Sequence, residues 1–92
     1  MTWRRAPREG HSASVVHLSL NATAYLGKTH KRVVFYWQMS SDNGKTWVSL
    51  PSTGYAETQL ASPGPGSYQF RALAMVAKTV VDWTQPFNLT IH

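Results

Sequence analysis

The carboxylates of this chain are few, and hydrolysis of a glycosidic bond would need two of them facing one cleft. The sequence holds four acidic residues, Glu9, Asp42, Glu57 and Asp82. Glu9 lies in the N-terminal segment and Asp42 in a turn sequence, so no facing pair is predicted. A Ser-His-Asp arrangement has no support either, because no serine lies in a Gly-x-Ser-x-Gly elbow. The sequence therefore predicts no catalytic residue and a protein that is not an enzyme.

The histidines lack the spacing of a metal site. They are His11, His17, His30 and His92, and the chain has no cysteine. Zinc sites need clustered ligands with supporting hydrogen bonds behind them. We therefore predict no metal and no cofactor. The absence of cysteine also excludes a disulfide scaffold and a thiol nucleophile.

The chain is basic, with nine Lys and Arg against four Asp and Glu, and a formal net charge of +5. The positive side chains fall mainly in two segments, Arg4, Arg5 and Arg8, then Lys28, His30, Lys31 and Arg32. No recognised nucleic-acid motif accompanies them, which argues against specific nucleic-acid binding. Weak, salt-dependent binding to polyanions, including anionic glycans, is consistent with this charge.

No segment is apolar enough to predict a membrane span or a signal peptide. The longest unbroken apolar run is Val33–Trp37, far below the ~18 residues of a spanning helix. After the basic N-terminus, the stretch Ser14–Leu20 is interrupted by His17 and Ser19, unlike the continuous apolar part of a signal peptide.

Alternation of apolar and polar residues predicts β-strands. Val16–Leu26 alternates over a long stretch, as in a half-buried strand. Further strands are predicted at Val33–Met39, Thr46–Leu50, Tyr55–Leu60, Ser67–Val76 and Phe87–Ile91. Turn signals such as Asn43-Gly44 separate them. Six to seven antiparallel strands at this spacing predict an all-β sandwich. We assign residues 13–92 to the sandwich and residues 1–12 to an N-terminal tail or irregular edge strand.

Three segments give the sequence a resemblance to a known family. They are Tyr36–Trp47 (YWQMSSDNGKTW), Tyr68–Arg71 with Ala74 behind it, and Asp82–Pro86 with the closing Leu89–Ile91. In order and spacing they resemble a fibronectin type III domain of the bacterial kind. The resemblance implies an immunoglobulin-like sandwich and favours an extracellular or cell-surface setting. It also implies inward-pointing side chains at Phe35, Trp37, Met39, Tyr68, Phe70, Ala72 and Ala74.

The same resemblance implies local structural roles and two departures. Tyr68 matches the tyrosine corner, whose hydroxyl binds upstream backbone. The family usually has a leucine where Ser62 stands, so we expect Leu60 to take that place. The loop before the last strand usually carries glycine, where Val80-Val81 stand. The first strand is weak, and an open sheet edge there would accept a strand from a neighbouring chain.

The segment Ser40–Trp47 fits the Asp-box pattern S-x-D-x-G-x-T-W. In this pattern the aspartate and serine satisfy backbone groups of the turn, and the tryptophan packs beneath the hairpin. One box without repeats cannot build a propeller. We therefore expect structural roles for Asp42, Gly44 and Trp47.

The predicted outward faces carry the candidate site. Apolar side chains lie where a monomeric sandwich is ordinarily polar, and Arg71 lies among them. The predicted contact patch is Val34, Tyr36, Arg71, Leu73, Met75 and Trp83. Arg71 stacked on Trp83 would be a stabilising cation–π contact, whereas an open patch would be a contact surface for protein. Trp3, Arg4, Arg5 and Arg8 are predicted to form a secondary contact.

Two functions follow from these features. The first is a non-catalytic protein-association module, either a homo-oligomer subunit or an accessory part of an extracellular or surface assembly. The alternative is a carbohydrate-binding or cell-surface attachment module, in which exposed Trp3, Tyr55 or Trp83 stacks on sugar rings.

Overall fold

The computed structural model describes residues 1–9, 15–21, 33–77 and 79–91, and every regular element in these ranges is a β-strand. The strands are β1 (Thr2–Glu9), β2 (Val15–Asn21), β3 (Val33–Ser40), β4 (Val48–Ser49), β5 (Glu57–Ala61), β6 (Gly66–Val76), β7 (Thr79–Trp83) and β8 (Phe87–Ile91). In the described ranges, no helix has the length and apolar character to cross a bilayer. Positions 22–26 of the predicted first long strand, the basic segment 28–32 and Lys78 lie outside the described residues.

The strands form two antiparallel sheets, which confirms the predicted all-β sandwich. The smaller sheet has the order β1-β2-β5, and the larger has the order β4-β3-β6-β7, with β8 also paired to β6. β7 pairs with the last residues of β6 and β8 with its first residues. Because β3 occupies the other side of β6, β7 and β8 follow one another along the same edge. Counted as one interrupted strand, they make seven strands in the ranges that the structure describes.

Thr84 bridges the interruption between β7 and β8. Its amide donates to the carbonyl of Ala72 at 2.9 Å, and its hydroxyl accepts from the amide of Ala72 at 2.9 Å. The expectation of a loop at Val80 and Val81 is wrong, because both lie in β7, where Val80 pairs with Met75. Their β-branched side chains favour the extended backbone of a strand.

The core lies between the inner faces of the two sheets. Its buried apolar side chains are Val16, Leu18, Leu20, Val33, Phe35, Trp37, Phe70, Ala72, Ala74 and Ile91. The register places Phe35 opposite Ala74 and Trp37 opposite Ala72, so a small side chain lies beside each large ring. A small side chain beside each ring lets the two sheets pack closely. Burying each such ring contributes about 1.5–3 kcal/mol.

The other side chains that were expected to point inward are half-buried and lie at the border of the core. Met39, Leu60 and Tyr68 pack against the buried cluster. Asn43 and Gly44 adopt φ angles of 63° and 85°, as expected for the predicted tight turn.

Thr2–Glu9 occupies the sheet edge beside β2 that the sequence left open. Its pairing with β2 shifts register between Trp3 and Arg5 and again between Arg5 and Arg8. The ring of Trp3 lies 6.3 Å from that of Trp37, centroid to centroid, and packs against the core. The described smaller sheet is thus completed by the chain's own residues.

Candidate functional site

The outer surface of the larger sheet is built from alternate positions of β3 and β6 and from two residues of β7, which a register shift between Ala74 and Met75 places opposite them. Tyr36 lies opposite Leu73, and Val34 lies opposite Met75. On the other side of β6, Trp83 also lies opposite Leu73. The structure therefore brings the predicted residues together across three strands. We call Val34, Tyr36, Leu73, Met75, Val80 and Trp83 the apolar face.

The rings and the β7 side chains of this surface reach solvent. Tyr36 is 40% exposed and Trp83 is 48% exposed, whereas the aliphatic members on β3 and β6 are half-buried. Val80 and Val81 are 45% and 42% exposed. The family resemblance predicts a loop at these two valines, although two adjacent β-branched residues are themselves a strand signal.

A ladder of three stacked side chains closes one end of the apolar face. The guanidinium carbon of Arg71 lies 4.1 Å from the ring centroid of Trp47 and 5.3 Å from that of Trp83. Its Nε donates to Oε1 of Gln38 at 2.6 Å. Both ring distances lie within the roughly 6 Å over which a cation is attracted to an aromatic face. The predicted stacking of Arg71 on Trp83 is present, and Trp47 is a further partner that the sequence did not reveal.

The hairpin Ser40–Trp47 is held by hydrogen bonds around Ser40 and Asp42. Ser40 Oγ donates to Asp42 Oδ1 at 2.7 Å and accepts from the amide of Gly44 at 2.8 Å. Asp42 Oδ1 accepts from the amide of Thr46 at 2.9 Å, and Oδ2 accepts from the Thr46 hydroxyl. Hydrogen bonds lower the pKa of Asp42 to about 2. The largest contribution comes from the Thr46 hydroxyl, the next from the Thr46 amide, and a smaller one from the Ser40 hydroxyl. The hairpin thus fixes the backbone just before β4, where Trp47 lies.

Tyr68 makes the contact expected of a tyrosine corner. Its hydroxyl donates to the carbonyl of Gly64 at 3.0 Å, and the carbonyls of Pro63 and Pro65 lie at 3.3 and 3.4 Å. This contact ties the Pro- and Gly-rich loop to the start of β6. Phe70, two residues further on, is fully buried.

The three N-terminal arginines lie on the opposite broad side of the molecule. Arg4, Arg5 and Arg8 are exposed and line a groove over the smaller sheet. Trp3 does not join them, because it is half-buried and its Nε1 donates to the carbonyl of Gln85 at 2.8 Å. The expectation of an exposed Trp3 that stacks on sugar is therefore wrong. The arginines and the apolar face belong to different sheets.

The described carboxylates are engaged in structural contacts. Asp82 Oδ1 accepts from the amide of Trp83 at 2.9 Å, and its Oδ2 contacts the amino group of Met1. Glu57 Oε1 lies 3.8 Å from Nη1 of Arg4. Within the described ranges, no three His, Asp or Glu residues lie close enough together to hold a metal ion.

Comparison with known proteins gives a likeness of fold. No protein-family profile matches the chain, and no curated protein sequence matches it. Among solved structures it is similar to the crystal structure of domains A168–A170 from titin, with a TM-score of 0.64 and 14% sequence identity. The match covers 98% of this chain and 30% of that chain. At this identity the likeness shows the fold alone, a sandwich of the fibronectin type III and immunoglobulin-like kind.

Proposed function

We propose that this chain is a non-catalytic protein-association module, that the apolar face is its contact surface, and that the partner is a second copy of the chain. The observation that carries the proposal is the exposure of Tyr36 and Trp83, at 40% and 48%, beside aliphatic side chains on three adjacent strands. The outer face of an antiparallel sheet is ordinarily polar where it meets water. A contiguous apolar surface on such a face is typical of association sites.

The dimensions of the molecule support this use. The chain measures 41 × 29 × 19 Å, and the apolar face lies on one of its two broad sides. A stable interface buries about 800 Å² on each partner, which a side of these dimensions can supply. Exposed aromatic rings at the centre of a contact surface are the side chains that contribute most to affinity.

Charge favours the apolar face over the opposite side as the surface on which two copies meet. Two copies of a chain with net charge +5 repel each other unless they meet on a surface of low charge. Among the described side chains, the charged residue at the border of the apolar face is Arg71, and two tryptophan rings sandwich its guanidinium. The opposite side presents three exposed arginines and would repel its own copy.

β7 adds a sheet edge to the same region. In the described larger sheet it is the last strand beside β6, so one side of its backbone has no neighbouring strand there. An edge strand presents N–H and C=O groups that pair readily with another strand. The edge therefore supplies directional hydrogen bonds next to the apolar side chains of Val80 and Trp83.

Light scattering coupled to size-exclusion chromatography tests the proposal over micromolar concentrations and at two ionic strengths. We expect a molar mass that rises with concentration and persists at the higher ionic strength, because apolar contacts are not screened by salt. Met75→Glu and Tyr36→Glu should each return the chain to a monomer. Both lower the net positive charge, so dissociation would result from a carboxylate placed inside the contact and not from a higher net charge on each copy.

Val48→Glu is the matched control, because Val48 is 60% exposed on β4 and lies outside the apolar face. It should leave the molar mass unchanged, and thermal melting of each variant reports whether it folds. A wild-type chain that is monomeric at every concentration would refute self-association. Equal loss of association in the Val48 and Tyr36 variants would remove the apolar face from the proposal.

The absence of catalysis is part of the proposal and rests on the carboxylates. Asp42 and Asp82 satisfy backbone groups near them, and Glu57 lies beside Arg4 and Ser19.

The extracellular or cell-surface setting and the bacterial form of the fold are predictions from the sequence segments alone. Carbohydrate binding is a second candidate function, favoured by one observation, the 78% exposure of Tyr55.

A further inference from the structure

Two β-bulges in β1 turn three arginines toward one surface. The register with β2 shifts between Trp3 and Arg5 and again between Arg5 and Arg8. Strict alternation from the core-packed Trp3 would turn Arg5 inward. The first bulge turns Arg5 outward, and the second restores the alternation, so Pro7 is buried. Arg4, Arg5 and Arg8 are consequently all exposed on the outer side of the smaller sheet.

These arginines line one part of a groove of about 460 Å³. Polar side chains of β2 and β5 line another part, with His17 paired to Gln59 across the two strands. Arg4 is partly neutralised by Glu57, whose Oε1 lies 3.8 Å from Nη1. Among the described side chains, no carboxylate pairs with Arg5 or Arg8. The groove therefore combines positive charge with groups that donate and accept hydrogen bonds.

Tyr55 lies at the groove on a loop that the core holds in place. Thr53 Oγ1 donates to the carbonyl of Tyr55 at 2.6 Å and accepts from Trp37 Nε1 at 2.9 Å. The backbone of Thr53 also exchanges two hydrogen bonds with Phe35, at 2.8 and 2.9 Å. An exposed ring on a fixed backbone loses little conformational entropy when a ligand stacks on it.

We infer that this groove binds an acidic polysaccharide, a sugar chain that bears carboxylate or sulfate groups. A guanidinium group matches the planar oxygens of a carboxylate and binds anionic oxygens through two parallel hydrogen bonds. Tyr55 offers an apolar ring face with a polar edge for a sugar ring, and Ser19 and Gln59 offer partners for its hydroxyl groups. Single-stranded nucleic acid is bound through several aromatic side chains that stack successive bases, whereas the described groove presents one tyrosine.

Fluorescence anisotropy with labelled oligosaccharides tests this inference on the whole chain. The probes are oligomers of polygalacturonate and of sulfated dextran, with neutral dextran and single-stranded DNA as references. We expect both acidic sugars, or one of them, to bind, and binding to weaken as ionic strength rises. The acidic sugar that binds more tightly identifies the anionic group that the groove prefers, carboxylate or sulfate. Neutral dextran should not bind.

Variants separate a built site from general attraction of polyanions. R5Q/R8Q should weaken binding about tenfold, because each exposed charge contact contributes a few-fold. K45Q, at an exposed lysine of the hairpin on the other sheet, removes one charge away from the groove and should change affinity less than about twofold. Y55S should weaken binding, whereas Y55F, which keeps the ring, should retain it.

Three results would overturn the inference. The first is the absence of binding to either acidic sugar. The second is equal weakening by K45Q and R5Q/R8Q. The third is DNA binding as tight as sugar binding with no effect of Y55S, since that pattern belongs to any chain of net charge +5. M75E leaves the groove untouched and should bind the acidic sugars like the wild type, so a failed association proposal remains distinguishable.

Discussion

Replacing Arg71 by methionine removes the centre of the stacked ladder and keeps most of the aliphatic stem. The change eliminates contacts to two rings, at 4.1 Å for Trp47 and 5.3 Å for Trp83. It also leaves Oε1 of Gln38 without the Nε donor at 2.6 Å. An exposed cation–π contact contributes about 0.5–1 kcal/mol, and a hydrogen bond from a charged donor contributes about 1.5 kcal/mol. Since the methionine recovers some packing, we expect the free energy of unfolding to fall by about 2 kcal/mol.

The two distances also rank the two contacts. Double-mutant cycles that combine R71M with W47L or W83L should give a coupling of about 1 kcal/mol for Trp47 and about 0.5 kcal/mol for Trp83. Urea unfolding followed by circular dichroism measures each free energy, and an unchanged m-value confirms that the same surface unfolds. In a domain of this size R71M should lower the melting temperature by about 8–16 °C.

Arg71→Lys is the control that keeps the charge and removes the planar group. It should recover less than half of the loss, because an ammonium neither stacks flat between two rings nor donates in the direction of Nε. Couplings near zero for both rings would show that the stacked contacts do not contribute to the free energy of unfolding. A larger coupling for Trp83 than for Trp47 would refute the ranking by distance.

Two further predictions concern the loops that frame the larger sheet. Tyr68→Phe removes the hydroxyl that donates to Gly64, and urea unfolding should show a loss of about 1 kcal/mol, with no measurable loss contradicting the tyrosine-corner role. The folded-state pKa of Asp42, lowered to about 2 from an ordinary value of 3.8, stabilises the fold above that ordinary value, and this stabilisation is lost as pH falls from about 4 to about 2. Asp42→Asn should flatten the dependence of the urea midpoint on pH in that window, and an identical acid loss in the variant would exclude Asp42 as its source.

Period-two alternation grouped side chains onto common strand faces, and the family resemblance implied which of those faces points inward. Phe35, Trp37 and Phe70 are fully buried, in agreement with that implication. Alternation could not predict β7, because Val80 and Val81 are adjacent apolar residues and the strand is cut off by Thr84–Pro86. This segment forms a strand because it pairs with β6, and that pairing is a tertiary contact that a local pattern does not contain.

The candidate sites depended more heavily on contacts that no local pattern contains. The apolar face followed from alternation, since Tyr36 and Leu73 occupy outward positions on two predicted strands. The second tryptophan of the ladder did not, because Trp47 precedes a two-residue strand and meets Arg71 only through the sheet order. A bulge shifts the inward and outward alternation of the residues that follow it, so the outward position of Arg5 was also beyond a pattern of period two.

The two proposed sites lie on opposite broad sides because the outer faces of the two sheets carry side chains of different chemistry. β3, β6 and β7 carry apolar side chains outside as well as inside, whereas β1, β2 and β5 carry polar and positive ones outside. Two copies that meet through the apolar faces would leave both arginine grooves turned away from the contact. A long acidic polymer that reached both grooves would then gain avidity from the effective concentration of the second site, with no change in either groove. Association would in this way raise affinity for a polymer and leave affinity for a short oligomer unchanged.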